Sequence, residues 1–208
     1  MKEPVPGRGR RGFTLIEMLV VMAIMLTLVA LGIPALQLAL HESKIRGITT
    51  EVTVLMRQAR IDAIKTSGQG VVQIIPSTGA GDPGHVRAFS DRNSNATLDA
   101  GEPVLGNIPL PTGISFVDCA GKTDKDSVDG FFADPAGGPN LAIFTSSGSL
   151  KVDEDKNVTE GAFRFGDPYG NFMEVFVKPV TTAKIQIRKC EAGAYVSNHD
   201  NAKAWTWN

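Results

Sequence analysis

With 208 residues and 42% hydrophobic side chains, the chain has material for one domain of ordinary size plus an appendage. The formal charge of −1 hides a split: residues 1–12 carry four basic side chains against one acidic one, and the remainder carries 17 against 21. A mildly acidic main body has no bulk electrostatic drive towards nucleic acid or anionic lipid, so functions resting on such a drive are disfavoured.

The basic side chains of the first dozen residues are Lys2, Arg8, Arg10 and Arg11, opposed by Glu3. Residues 12–40 then read GFTLIEMLVVMAIMLTLVALGIPALQLAL, with no charge between Met18 and Leu40. As a helix, the stretch 18–36 spans about 28 Å, enough to cross a bilayer core. The arginines before it predict a cytoplasmic N-terminus and an exported C-terminal part. Three ordinary explanations compete. A cleaved secretory signal has a shorter apolar run ending at a small-residue site, and Ile33-Pro34-Ala35-Leu36 makes a poor one. A plain membrane anchor fits the length but leaves Glu17 unexplained, because an unpaired ionisable group at membrane depth costs about 3 kcal/mol. A buried core helix has no need of the arginines.

The string Gly12-Phe13-Thr14-Leu15-Ile16-Glu17, set between a basic leader and a long apolar run, resembles the type IV prepilin motif. That resemblance implies a leader over 1–12, cut by a prepilin peptidase between Gly12 and Phe13, with Phe13 then N-methylated. It implies a transmembrane and assembly helix over 13–40, with Glu17 as the family's fifth-position glutamate. Physically, cleavage leaves a positive amine on Phe13, and Glu17 of a neighbouring subunit is far less costly to bury once paired with it. Pro34 matches a family position and removes one backbone hydrogen bond from the helix.

Beyond Leu40 the helical period continues. Ile45, Ile48, Val52, Leu55, Met56, Ala59 and Ala63 form one apolar stripe, while Lys44, Arg46, Glu51, Arg57 and Asp62 take mostly the other side. Ser67-Gly68 reads as the stop, so one helix is predicted over about residues 14–66. From 70 onward the texture is β, with strands expected at 71–75, 86–90, 114–117, 141–145, 161–165, 172–177 and 184–190. Turn chemistry over 167–171 predicts a hairpin between Phe165 and Phe172. The fold class is therefore α+β: a long N-terminal helix, transmembrane in its first half, packed on an antiparallel sheet head over 41–208, with 191–208 as a tail. The head is similar to the GspH/FimT group of minor pseudopilins and minor pilins, on residues 56–65 (MRQARIDAIK), the acidic 91–102 segment and the late Cys190.

Residues 91–102 (DRNSNATLDAGE) place oxygen-bearing side chains at Asp91, Asn93, Asn95, Asp99 and Glu102, with the Thr97 carbonyl between them. The spacing is that of an EF-hand-like calcium loop, except that Ala96 stands where the sharp turn wants glycine. The competing reading is an Asx-rich hairpin loop with solvated carboxylates. Calcium is the only cofactor the sequence suggests. Cys119 and Cys190 lie 71 residues apart, too few thiols for a zinc site and outside any CxxC. In an oxidising compartment they are expected to pair, closing a loop for about 4 kcal/mol; the alternative is two unrelated buried thiols.

His41, His85 and His199 are scattered, and no nucleophile, phosphate-loop or zinc-protease motif occurs, so no enzyme is expected. The resemblance implies a minor pseudopilin of a type II secretion system at the bacterial inner membrane, with its head periplasmic and sibling pseudopilins as partners. The alternative is a FimT/FimU-like minor pilin of a type IV pilus, with DNA uptake as a candidate role; the sparse basic residues after Cys190 speak against nucleic acid.

Overall fold

The computed structural model describes residues 13–77, 79, 83–117, 128–129, 141–151, 161–178 and 181–190. The chain divides into two compact units, Met1–Leu40 and His41–Asn208. Helix α1 spans Leu15–Thr66 and runs through Pro34 without ending there. Up to Leu40 its large apolar side chains are exposed, from 44% at Val21 to 85% at Leu15. Such a surface is at rest only in lipid or against other helices.

From His41 onward the same helix is the spine of the head. Ile45, Val52, Met56, Ala59 and Ala63 are wholly buried, as their spacing requires. Two threonines share that stripe, and both are satisfied along the helix. Thr49 donates to the Ile45 carbonyl at 3.0 Å and Thr53 to the Thr49 carbonyl at 2.8 Å, so neither hydroxyl is left unpaired in the core.

The helix ends because Ser67 turns left-handed, with φ of 55°. The residue that reverses the chain is thus Ser67, one position before the glycine that the sequence offers for the task. An L side chain is strained in that geometry and glycine is not. Ser67→Gly is expected to stabilise the head by about 0.5–1 kcal/mol, a rise of a few degrees in Tm, measured by thermal unfolding.

Among the described residues, two antiparallel sheets follow. The first holds β1 (Gln69–Ile75), β2 (His85–Asp91), β3 (Val104–Pro109), β6 (Leu141–Phe144) and β7 (Leu150–Lys151), in the order β3-β2-β1-β6-β7. The second runs β10-β9-β8-β4, built from β4 (Ser115–Phe116), β8 (Gly161–Gly166), β9 (Phe172–Val177) and β10 (Ile185–Cys190), while β5 (Val128–Asp129) also pairs with β8. The expected α+β class holds, with two sheets where one was expected. The hairpin between β8 and β9 forms where the turn residues predict it, closing with Gly166 opposite Phe172.

One core joins the helical stripe to Val72, Ile74 and Phe144 of the first sheet and Phe163, Phe165, Val175 and Val177 of the second. A smaller cluster on the other face of the first sheet holds Val71, Phe89, Leu141 and Ile143. Strand β3 escaped the sequence pattern because Gly106 and Pro109 read as breakers. A methyl group at Gly106 would come 2.7 Å from Leu55 Cδ1, so that side chain would have to shift to admit one. Pro109 is tolerated because β3 is an edge strand.

Candidate functional site

The N-terminus of α1 is a capping box. The Glu17 amide donates to Thr14 Oγ1 at 3.3 Å, while the Thr14 amide and hydroxyl donate to Glu17 Oε2 at 2.9 and 3.0 Å. Each residue thereby satisfies groups that a helix start leaves open. Glu17 thus has a local structural role that the prepilin resemblance did not bring to notice. The signal was present in the sequence, as a threonine followed three residues later by glutamate before an apolar run. The carboxylate makes both of these bonds through Oε2. Phe13, just before the cap, is 77% exposed. Gly12 and the leader lie outside the described residues.

Residues 91–102 form a closed network. Buried Asp91 accepts from the amides of Ser94 at 2.7 Å and Ala96 at 2.8 Å. The carboxamide nitrogens of Asn93 and Asn95 both donate to Asp99 Oδ2, at 2.6 and 2.7 Å. The Asn93 and Asn95 side-chain oxygens accept the amides of Asn95 and Thr97 in successive Asx turns. Glu102 closes the loop by accepting from the amides of Arg92 at 2.9 Å and Asp99 at 3.1 Å. Ala96 takes a φ of 63°, the conformation for which glycine is the easier residue. Its methyl is buried, and with Leu98 it packs on Val71, Phe89, Leu141 and Ile143. Among the described residues, no group of three or more His, Cys, Asp or Glu side chains is placed to hold a metal ion. Of the two cysteines, Cys119 lies outside the described residues, and Cys190 is the last residue of β10.

Two charge clusters were not visible in the sequence. Glu174 on β9 stands opposite Arg164 on β8 and Arg188 on β10, so three adjacent strands bring the charges together. The Arg164 Nε to Glu174 Oε2 distance is 3.1 Å with both side chains buried, and the Arg188 guanidinium lies 3.2 Å from the centre of the Phe176 ring. At the start of the head, Glu42 accepts from Arg46 at 2.9 Å and from Lys189 at 3.0 Å. Arg46, then Lys189, hold the Glu42 carboxyl below its ordinary value. A carboxyl depressed in the folded state contributes stability above the ordinary carboxylate range, and that contribution disappears as pH falls through the depressed value. Lys189→Ala should therefore lower stability near pH 7 by less than about 1 kcal/mol and have almost no effect at an acid pH below the depressed Glu42 value. Urea melts at the two pH values check this.

Comparison with known proteins bears first on the N-terminal segment. Residues 7–33 match the prokaryotic N-terminal methylation motif, a stretch that includes Gly12, Phe13 and Glu17 and stops one residue short of Pro34. The chain is also 38% identical over 96 residues to the pilin-like protein PilA1 of Thermus thermophilus. That match takes in 45% of this chain and spans about half (56%) of the relative's length. No solved structure matches the chain. Together the methylation motif and this likeness support the type IV pilin family, with a prepilin-type leader ahead of an apolar helix suited to membrane anchoring.

Proposed function

We propose that this protein is a non-enzymatic filament subunit, cut between Gly12 and Phe13 and N-methylated by a prepilin peptidase, and within that class a minor pseudopilin of a type II secretion system. The observation that carries the reading is Glu17, a carboxylate at the head of a helix whose next 23 residues bear no charge. Lipid alone gives it no partner. The amine freed on a neighbour's Phe13 does, and the pairing selects one register between adjacent helices. The subunit then stays in the inner membrane with its head in the periplasm until sibling pseudopilins take it into a filament. Mass spectrometry of the protein from its host tests the processing: a mature chain should begin with methylated Phe13, and one still beginning at Met1 sinks the reading.

A second reading, a minor pilin of a type IV pilus, is favoured by the likeness to a protein described as pilin-like. Purification of surface pili and of the secretion machinery from the host separates the two, according to which one carries the chain.

For residues 91–102 the reading that the bonds support is a self-closed loop that covers the smaller core. Calcium titration is its test. Unchanged melting at millimolar calcium supports the packing role, and a calcium-dependent rise in Tm would instead assign a cation to Asp91, Asn93, Asn95, Thr97, Asp99 and Glu102. The Cys119–Cys190 pairing expected for an exported head is checked by peptide mapping under non-reducing conditions.

A further inference from the structure

We propose that the tip of the β8–β9 hairpin is an interfacial contact that seats Tyr169 in the phospholipid headgroup layer of the membrane holding the N-terminal segment. The proposal rests on the membrane-anchor reading above and goes beyond it, since an anchored helix does not by itself require any part of the head to touch lipid.

His41 is the first polar residue after the apolar segment and is bonded directly to Leu40. Consecutive Cα atoms are about 3.8 Å apart, so when Leu40 lies at the apolar boundary His41 lies in the headgroup region. The His41 ring packs on Tyr169, with 4.2 Å between ring centres and 42° between planes. Tyr169 is thereby tied to the same level, although 128 residues separate the two in sequence. It is 54% exposed, and the neighbouring Pro168 and Gly170 are exposed as well. An apolar ring with a polar tip is poorly placed in open water and well placed at a headgroup boundary.

The tip is also held in advance. Asp167 Oδ1 accepts from the amides of Tyr169 and Asn171, both at 2.9 Å, and Oδ2 accepts from the Asn171 carboxamide at 2.8 Å. Docking a loop already fixed this way avoids most of the ordering cost of binding. The same end of the head carries cations. Lys189 stands opposite Met173 near the base of the hairpin, and Lys189 and Arg46 keep side-chain exposures of 40% and 52% while sharing Glu42. Lys44 is exposed nearby on the helix. Their remaining N–H groups suit lipid phosphates, a local attraction that the acidic balance of the whole head does not remove.

The test uses the full chain in phosphatidylethanolamine–phosphatidylglycerol vesicles, with Tyr169→Trp placed in a background of Trp205→Phe and Trp207→Phe so that emission reports on position 169. Lipids carrying a quencher at headgroup depth should reduce that emission about twofold or more, and quenching by aqueous iodide should be weak. In the wild-type chain, which needs no substitution, a lipid with a photo-crosslinker on its headgroup should label the peptide containing Tyr169. Vesicle-bound protein with position 169 open to iodide, blind to the lipid quencher, and crosslinks confined to residues 13–40 would overturn the proposal while leaving the anchor intact. Protein that fails to sediment with vesicles overturns the anchor reading and this proposal with it.

Discussion

Glu17→Ala should be processed and methylated like the wild type yet enter filaments at no more than about a hundredth of the wild-type level. The magnitude follows from the pairing argument. Removing one partner of a buried ion pair leaves the other charge uncompensated and costs about 3–5 kcal/mol, and each 1.4 kcal/mol is a factor of ten in association. The alanine variant also dismantles the capping box with Thr14. Glu17→Gln separates the two effects, because an amide still caps the helix but offers no charge to a neighbour's Phe13 amine. If charge pairing governs assembly, the glutamine variant fails nearly as badly as alanine. If capping is what matters, it assembles normally, and the pairing mechanism is then wrong. Filament fractions probed by immunoblot, with mass spectrometry of the N-terminus, give both readouts.

Gly70→Ala should be the most damaging small substitution in the head. Strand β1 crosses α1 so closely at this residue that an added methyl would run into the Ala59 carbonyl oxygen and lie 2.7 Å from its carbonyl carbon. The obstruction is backbone on a long helix, which cannot rotate aside as a side chain can. Overpacking costs typically 1–3 kcal/mol, and the rigid neighbour puts this case at about 3 kcal/mol or above. The expected loss in Tm is about 6–12 °C. Ser67→Gly, three residues earlier, should move Tm the other way, so paired melts of the two variants check the geometry of the whole helix-to-strand turn. A Gly70→Ala head that melts with the wild type would show that helix and strand do not meet here.

Much of the head's architecture could be read along the chain wherever one face of an element carries a regular apolar pattern. The stripe from Ile45 to Ala63 is buried as its spacing requires, and the runs at 172–177 and 185–190 are strands. Strands β3, β5 and β7 carry no such pattern, and the division of the strands between two sheets has no local signature either. Pairing partners are chosen by long-range register, about which a local pattern of alternation carries no information. The candidate site shows the same divide. The Thr14–Glu17 cap was in the sequence because its two members are three residues apart. The Arg164–Glu174–Arg188 row and the His41–Tyr169 stack were not, because neighbouring strands and a hairpin bring together residues far apart in the chain.

The sequence by itself determined the pattern on which the anchor and processing proposals rest: a basic stretch, a Gly-Phe junction, a carboxylate and a long uncharged helix are contiguous, and their physics is the physics of neighbours along one chain. Tertiary structure decided what the rest of the molecule does with its polar groups. It turned residues 91–102 into a self-bonded cover over Phe89, brought β1 against the Ala59 backbone at Gly70, and set Tyr169 beside the first residue after the apolar segment. Those outcomes depend on which distant segments meet, and that is settled only when the core closes.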